Sequence, residues 1–165
     1  MSLSDYVITP LERHHDRQSF DCGNTELNRY LHTQASQDVK RRISSCFVIT
    51  DKQAQIAGFY TLCTGSIPYA ELAPELQKKL PRYPDLPSVL VGRLAIDIRH
   101  QGKQLGHALL ANALLRACKM DIACLVLVVE AKNQQAINFY QHFGFTAFQS
   151  ANDKLYYPLS LFQAK

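Results

Sequence analysis

A short glycine-containing segment between two apolar stretches is the first place in this chain where chemistry is expected. Gly102 and Gly106 flank Lys103 here, after the apolar run Val89–Ile98 and before a helical apolar stripe. A loop that follows a buried strand and opens a helix exposes backbone N–H groups and the positive end of the helix dipole, which together bind phosphate. The spacing is neither that of a Walker phosphate loop nor the GxGxxG dinucleotide fingerprint. Two interpretations therefore stay open, a phosphate-binding loop and an ordinary glycine-containing connection.

A polar residue and a phenol share one face of the last predicted helix. Asn133, Ile137 and Tyr140 fall at positions i, i+4 and i+7, so Asn133 and Tyr140 lie about 10 Å apart along the helix axis. This separation suits two contacts with one extended ligand, an amide at one end and a reactive atom at the other. The alternative is a surface asparagine and a tyrosine at the edge of the core.

The positive charge is concentrated in one part of the chain. The net charge of the whole chain is +4. Residues 78–119 hold eight basic and two acidic side chains, whereas residues 1–39 hold three basic and six acidic ones. Three further basic residues, Lys40, Arg41 and Arg42, precede a predicted strand. A concentrated positive field favours a phosphate-bearing partner, a nucleotide or a nucleic acid; solvated helix faces are the alternative.

Composition places the chain among folded globular domains. It has 165 residues, of which 47% are hydrophobic and 19% charged, so neither a disordered nor a collagen-like chain is expected. No apolar run of about 18 residues predicts a membrane span, and Met1–Tyr6 lacks the basic and apolar regions of a secretory signal. The five cysteines contain no CxxC pair, which predicts free thiols and no metal site. We therefore expect a cytoplasmic protein with one domain over residues 1–165.

Alternating strand and helix patterns predict an α/β fold. Strands are predicted at Tyr6–Thr9, Ser45–Thr50, Gln55–Ile67, Val89–Ile98, Cys124–Val129, Phe145–Phe148 and Lys154–Leu161. Helices are predicted after the N-cap Asn24, near Leu72–Leu80, within 102–119 and at Gln134–Phe143, the last closed by Gly144. Strands on both sides of helix 102–119 require a partly parallel sheet. The expected architecture is a mixed, twisted sheet of about six or seven strands flanked by about four helices.

Taken together, these motifs make the chain similar to the GNAT superfamily of acyl-CoA-dependent N-acetyltransferases over essentially its whole length. The motifs are the strand Leu94–Asp97, the loop Gln101–Gly106, Asn133 with Phe139 and Tyr140, and the run Phe143–Phe145. The family's loop pattern is Q/R-x-x-G-x-G/A, and Gln104 stands here in place of its first glycine. Gln104 must therefore adopt a backbone shape that glycine adopts freely.

The resemblance implies a site for acetyl-CoA. Its pantetheine arm would follow the strand residues Leu94, Ala95 and Ile96, and its pyrophosphate would lie on backbone amides of Gln101, Gly102, Lys103, Gln104, Leu105, Gly106 and His107. Asn133 would contact the pantetheine amide. Tyr140 would stand near the thioester sulfur and protonate the departing thiolate, and a backbone N–H near Ile96 would stabilise the oxyanion.

Further motifs resemble the toxin branch of this superfamily, whose members are similar to TacT. They are Phe20–Gly23 with Leu27–Leu31, Leu80–Pro84, and Val91–Ala95. The branch acetylates the amino acid on charged tRNA, is commonly paired with a ribbon-helix-helix antitoxin, and often forms homodimers. The implied RNA contacts are the basic residues Arg82, Arg93, Lys40, Arg41 and Arg42.

A general base does not stand out in the sequence. Asp97 and Glu130 are the nominated carboxylates, and a structural role fits each of them better. A base-poor site suits an α-amine, whose pKa of about 7.7–8.0 leaves roughly a tenth or more neutral at pH 7. Such an amine belongs to aminoacyl-tRNA but equally to a peptide N-terminus. A small-amine or protein N-acetyltransferase, and a non-catalytic module that binds CoA or RNA, stay open as alternatives.

Overall fold

The structure, a computed structural model, describes residues 2–162. Seven strands form one mixed sheet in the order β1-β2-β3-β4-β5-β7-β6. The strands are β1 (Val7–Pro10), β2 (Ser45–Thr50), β3 (Ile56–Pro68), β4 (Asp85–Ile96), β5 (Val126–Glu130), β6 (Thr146–Ala147) and β7 (Lys154–Pro158). The helices are α1 (Thr25–Arg29), α2 (Ala35–Lys40), α3 (Pro74–Gln77), α4 (Leu105–Cys118) and α5 (Gln134–Phe143). The mixed seven-stranded sheet confirms the predicted fold class.

The chain divides into two compact units, and β3, β4 and α4 contribute residues to both. The first unit contains residues up to 63 together with 92–113, and the second contains 64–91 together with the residues from 114 onward. The predicted domain limits at 1 and 165 lie outside the described residues. Within residues 2–162, no helix combines the length and the apolar character that crossing a membrane needs.

The first unit is built on an antiparallel β-meander. Strand β1 pairs with β2 from Val7 opposite Thr50, and β2 pairs with β3 from Ser45 opposite Leu62. Its core combines side chains from these strands, from the α1–α2 region and from the end of β4: Phe20, Tyr30, Leu31, Ala35, Cys46, Val48, Ile56, Phe59 and Ala95. The helices of this unit are therefore held by burial of their apolar face.

A π-helical turn interrupts the first predicted helix. Asn24 caps α1 as predicted, since its side chain accepts a hydrogen bond from the Leu27 N–H. Residues Tyr30–Gln34 then form the π turn, which the N–H of Ala35 closes on the carbonyl of Tyr30. The extra residue in this turn rotates the following helix relative to an uninterrupted one. Val39, which we expected on the apolar stripe, is consequently exposed.

The second unit contains the parallel strand pair. Strand β5 runs parallel to β4, with Ser88 opposite Val126, and antiparallel to β7. Helix α5 follows β5 and has the predicted limits. Its N-cap is Asn133 and its C-cap is Gly144, whose φ of +123° suits glycine. The core of this unit comprises Ile67, Leu72, Leu86, Val126, Val128 and Tyr156.

Strand β4 is the element whose limits differ most from the prediction. It begins at Asp85 instead of Val89, and it ends at Ile96 instead of Ile98. Pro87 is accommodated because its carbonyl still accepts a hydrogen bond, from the Leu125 N–H. At the other end, Asp97 caps a 3₁₀ turn over Ile98–His100 and thereby stops the strand.

Candidate functional site

The glycine-containing loop after β4 has the backbone shape that an anion-binding loop needs. Residues Gln101–Gln104 are exposed, and Leu105, the first residue of α4, is buried. Gly102 has φ +82° and Gln104 has φ +63°. Both residues are in the left-handed region, so Gln104 does adopt the conformation that glycine adopts freely. The departure from the family pattern therefore changes the side chain at this position but preserves the backbone shape.

The start of α4 offers backbone donors to a ligand. The first intrahelical hydrogen bond runs from the Ala108 N–H to the Gln104 carbonyl over 3.3 Å. The amides of Leu105 and Gly106 precede it and have no acceptor within the helix. Lys103 is exposed beside them. Free amides, the helix dipole and a lysine form a donor set that fits a pyrophosphate.

Gln101 holds this loop to the end of β4. Its Nε2 donates to the Ile96 carbonyl over 3.0 Å and lies 3.5 Å from the Cys22 carbonyl. The Gln101 side chain therefore links the loop to the last residue of β4. One lone pair of the Ile96 carbonyl is taken by this bond. Leu94 and Ile96 themselves are half-buried, while Ala95 is buried.

Asp97 is a structural carboxylate. Its side chain is fully buried and accepts hydrogen bonds from the Asp21 N–H and from the Arg99 N–H, Nε and Nη2, all at 2.9–3.0 Å. Burial alone would raise its pKa, but the bonds from Arg99 and Asp21 outweigh that effect and hold the pKa of Asp97 below its usual value. A carboxylate so occupied and so acidic is a poor general base.

The segment after Phe20 is bonded to this same region, which the sequence did not indicate. The Ile98 N–H donates to the Asp21 carbonyl over 2.8 Å. The Asn28 side chain in turn accepts from the Cys22 N–H and donates to the Asp21 carboxylate. This part of the branch-specific motif therefore supports the loop after β4. Its only signal in the sequence was the motif Phe20–Gly23 with Leu27–Leu31.

A buried histidine immediately precedes the loop and was also not predicted. His100 Nδ1 lies 2.8 Å from the Tyr6 hydroxyl, and its Nε2 lies 3.5 Å from an Asp51 carboxylate oxygen. Burial, together with the charges of Asp51 and Asp5, raises the pKa of the Tyr6 hydroxyl. This trio fixes the chain at the entry to the loop, because the His100 ring has a partner on each nitrogen.

Within the second unit, Tyr140 lies on α5 as predicted, whereas Asn133 has an extended backbone and is the N-cap that precedes the helix. The Asn133 side-chain oxygen accepts from the Ala136 N–H over 2.8 Å, so the helix cap uses this atom. Among residues 2–162, no group accepts a hydrogen bond from the Asn133 side-chain nitrogen, which leaves that donor for a ligand. Glu130, the other nominated base, is exposed at the end of β5.

Tyr140 is a buried phenol among aromatic rings. Only 7% of its surface is exposed, and its ring lies 5.2 Å from that of Phe139 and 5.6 Å from that of Phe145. Burial raises the pKa of Tyr140 to about 12. The phenol therefore stays protonated at neutral pH, as a proton donor must be before it acts.

The predicted RNA-contacting residues have different surroundings. Arg82, in the second unit, is exposed, as are Lys40, Arg41 and Arg42 at the end of α2 in the first unit. Arg93 is half-buried in β4, and its guanidinium carbon lies 3.5 Å from the centre of the Tyr30 ring. Four of these five residues are thus free to contact solvent, and one is held against an aromatic ring.

Cysteine and metal chemistry have little support in the described residues. All five cysteines are free. Burial raises the pKa of each thiol, that of Cys46 to about 12, so none is an activated thiolate. Residues 2–162 contain no group of three or more His, Cys, Asp or Glu side chains arranged to hold a metal ion.

Comparison with known proteins identifies the family. The acetyltransferase (GNAT) domain matches residues 42–147. The tRNA-acetylating toxin of Mycobacterium tuberculosis is 32% identical, and the match covers 91% of this chain and 89% of that protein. The structure of AtaT complexed with acetyl-methionyl-tRNAfMet has a TM-score of 0.88 at 32% identity and covers 94% of this chain and 96% of that one.

A second solved structure contains two other kinds of partner. It is a mutant AtaT toxin bound to the C-terminus of the antitoxin AtaR and to acetyl-CoA. Its TM-score is 0.78 at 28% identity, and the match covers 94% of each chain. The domain match, the identity and the shared fold agree with the resemblance that the sequence motifs indicated. The chain belongs to the GNAT family of acetyltransferases.

Proposed function

We propose that this chain transfers the acetyl group of acetyl-CoA to the α-amine of aminoacyl-tRNA and so acts as a translation-blocking toxin. Enzymes of this family are acyl-CoA-dependent N-acetyltransferases, so the open question is the acceptor. The observation that carries the proposal is that, among residues 2–162, neither the buried carboxylate Asp97 nor any thiol is suited to act as a base. Asp97 is locked by four hydrogen bonds, and every thiol has a raised pKa.

A site that does not use Asp97 or a thiol as base is best matched by an acceptor that is already partly neutral. The pKa of an α-amine is about 7.7–8.0 and that of a lysine side chain about 10.4, so the neutral fraction at pH 7 is several hundred times larger for the α-amine. The similarity to a tRNA-acetylating toxin over 91% of the chain supports the choice of aminoacyl-tRNA among α-amines.

In the proposed reaction, the substrate amine attacks the acetyl carbonyl and the C–S bond breaks. The thiolate receives a proton from the Tyr140 hydroxyl. The amine releases its proton to water, and water then returns a proton to the Tyr140 phenolate. In the first unit, Leu94–Ile96 would bind the pantetheine arm and the amides of residues 101–107 the pyrophosphate. In the second unit, Asn133 would bind a pantetheine amide. A pKa of about 12 keeps Tyr140 protonated before this step.

The first test of this mechanism replaces Tyr140 by Phe, which keeps the ring and removes the proton donor. We expect turnover to fall by roughly 10²-fold or more, because positioned acid catalysis is typically worth 10²–10⁴, while the Kd for acetyl-CoA stays unchanged. Phe139→Leu is a control that alters the neighbouring ring and keeps the phenol. Unchanged turnover in Tyr140→Phe would remove Tyr140 from the acid role.

We further propose that the protein acts in the cytoplasm, where charged tRNA is found, and that it forms a homodimer and binds a ribbon-helix-helix antitoxin. Support for an antitoxin comes from the similarity to AtaT bound to AtaR. Co-expression with the product of an adjacent gene should yield a stable complex that lacks acetyl transfer. Light scattering of the purified chain alone tests the dimer.

A further inference from the structure

Arg93 is a half-buried cation without a hydrogen-bond acceptor. Its guanidinium carbon lies 3.5 Å from the centre of the Tyr30 ring, a close cation–π contact. Within residues 2–162, no oxygen accepts a hydrogen bond from the guanidinium group, and no carboxylate lies at ion-pair distance from it. The five N–H donors of this group are therefore available to a ligand or to water.

The ring beneath Arg93 is itself fixed by a chain of hydrogen bonds. The Tyr30 hydroxyl donates to Asp38 Oδ2 over 2.9 Å, and Gln34 Nε2 donates to Asp38 Oδ1 over 2.9 Å. The hydrogen bond from Gln34, with those from Tyr30 and the charges of Arg93 and Arg41, lowers the pKa of Asp38. Both Asp38 oxygens are thus occupied by neighbours other than Arg93.

A π-helical turn lies at this arrangement. It spans Tyr30–Gln34, so the two residues that bond Asp38 stand at its two ends. π turns within helices occur frequently at functional sites, where they re-aim side chains. The irregular turn and the unused guanidinium are independent observations at one place in the first unit.

The charges around Arg93 favour an anionic ligand. Arg93 directly precedes Leu94–Ile96, the strand residues expected to carry the pantetheine arm. Arg41 is close enough to lower the pKa of Asp38, so the exposed cluster Lys40–Arg42 adds positive field near Tyr30. An anion that enters this part of the site meets several cations and one rigid guanidinium.

We propose that Arg93, held on the Tyr30 ring, is the receptor for a phosphate of the single-stranded 3′ end of the tRNA. This inference rests on the proposed function and assigns to Arg93 a role different from that of the exposed basic residues. The planar guanidinium binds phosphate through two parallel N–H bonds. Because the side chain is already immobilised by stacking, it loses little conformational entropy when the phosphate binds.

The test measures how salt weakens the binding of bulk charged tRNA between about 50 and 200 mM salt. Each phosphate contact on a single strand contributes about 0.7 to the slope of log K against log salt. We expect Arg93→Gln to reduce the slope by about 0.7 and to weaken tRNA binding about tenfold at 0.1 M salt, without changing the Kd for acetyl-CoA. Arg93→Lys keeps the charge and should keep the slope, but it should weaken binding because it loses the fork.

Matched variants separate a phosphate contact from general electrostatics. Arg13→Gln removes the same charge from an exposed position of the first unit and should leave the slope unchanged. Tyr30→Phe keeps the ring under Arg93 and should keep the slope, whereas Tyr30→Leu removes the ring and should weaken tRNA binding at an unchanged slope. Denaturation curves for both Tyr30 variants establish that they are folded.

The outcomes distinguish this inference from the proposed function. If the wild type acetylates charged tRNA and Arg93→Gln shows the wild-type salt slope, Arg93 makes no phosphate contact and the inference is overturned while the proposed function stands. If the wild type acetylates no charged tRNA, the proposed function fails and this inference fails with it. A reduced slope in Arg93→Gln alone, and not in Arg13→Gln, supports the assignment.

Discussion

Two arginines six positions apart in the chain have opposite environments. Arg99 donates from Nε and Nη2 to Asp97 at 2.9 Å, from Nη2 to the Ser19 carbonyl and from Nη1 to the Gln55 side chain. The Arg93 guanidinium stacks on Tyr30 and donates no hydrogen bond to residues 2–162. The donors of Arg99 are used by hydrogen bonds within the protein, whereas those of the Arg93 guanidinium are available to a ligand or to water.

The difference follows from where each residue lies on the chain. Arg93 lies within β4, on the face that packs against the helical segment containing Tyr30. Arg99 lies beyond the strand end, in the 3₁₀ turn that Asp97 caps, and there it meets a fully buried carboxylate. An arginine beside a buried carboxylate, such as Arg99, has a structural role. An arginine stacked only on an aromatic ring, such as Arg93, keeps its N–H donors available for binding.

Removal of the Asp97 carboxylate, the acceptor of Arg99, should have the largest effect on the free energy of unfolding among the substitutions proposed here. Asp97→Ala leaves the Asp21 amide and the Arg99 side chain without their buried acceptor. We expect the free energy of unfolding to fall by about 2–4 kcal/mol, as measured by urea denaturation. Asp85→Ala, an exposed carboxylate at the start of β4, is the control and should change it by less than about 0.5 kcal/mol. Equal effects of the two substitutions would show that the Asp97 network contributes nothing special.

The next effect compares the two arginines directly. Arg99→Gln should lower the free energy of unfolding more than Arg93→Gln does, because the cation–π contact of Arg93 is worth only about 0.5–1 kcal/mol in a partly exposed position. For tRNA binding we expect the opposite order, with Arg93→Gln losing more affinity for tRNA than Arg99→Gln. Denaturation and binding measured on the same two proteins check both orders. If Arg99→Gln weakens tRNA binding as much as Arg93→Gln, the division of roles between them is wrong.

The stability supplied by Asp97 should depend on pH in a definite direction. Its folded-state pKa lies below the unfolded value, which is about 3.9. Its contribution is therefore complete above that unfolded value and disappears as the pH falls through the folded pKa. Asp97→Asn has no such carboxylate, so the difference in free energy of unfolding between wild type and variant should be larger at pH 6 than at pH 3, and should shrink further as the pH falls. A gap that does not change with pH would contradict the lowered pKa.

The smallest effects are expected in the loop after β4. Gln104→Gly relieves a left-handed residue and should raise the free energy of unfolding by about 0.5–1 kcal/mol. Gly102→Ala has open space around its added methyl group but introduces strain at φ +82°, so it should lower that energy by about 1 kcal/mol. The Kd for acetyl-CoA should change little in Gln104→Gly, because the backbone shape is preserved. Thermal unfolding with and without acetyl-CoA measures both quantities.

Features with a local cause could be predicted from the sequence. Helix α5 has its predicted limits because Asn133 and Gly144 are strong capping residues. The left-handed conformation of Gln104 followed from its place in the loop pattern. The roles of Tyr140, Asn133 and the amides of the loop stay predictions, since no ligand contact tests them.

Features that join distant parts of the chain could not be predicted. The bond from the Asp21 N–H to Asp97 joins residues 76 positions apart, and no periodicity records it. Arg93 stacks on Tyr30, the first residue of a π turn that stands where an α-helix was expected. The early start of β4 was hidden by Pro87, because proline is uncommon inside strands, yet Asp85–Pro87 belong to this strand.

The most direct test of the proposed function is the transfer of labelled acetyl from acetyl-CoA into bulk charged tRNA. Deacylated tRNA and a panel of free amines and peptides serve as controls in the same assay. We expect label to enter the charged tRNA, to be lost when the aminoacyl ester is hydrolysed, and to be absent from deacylated tRNA. Label that appears only on free amines or peptides would be consistent with acetyltransferase activity but would contradict aminoacyl-tRNA as the acceptor.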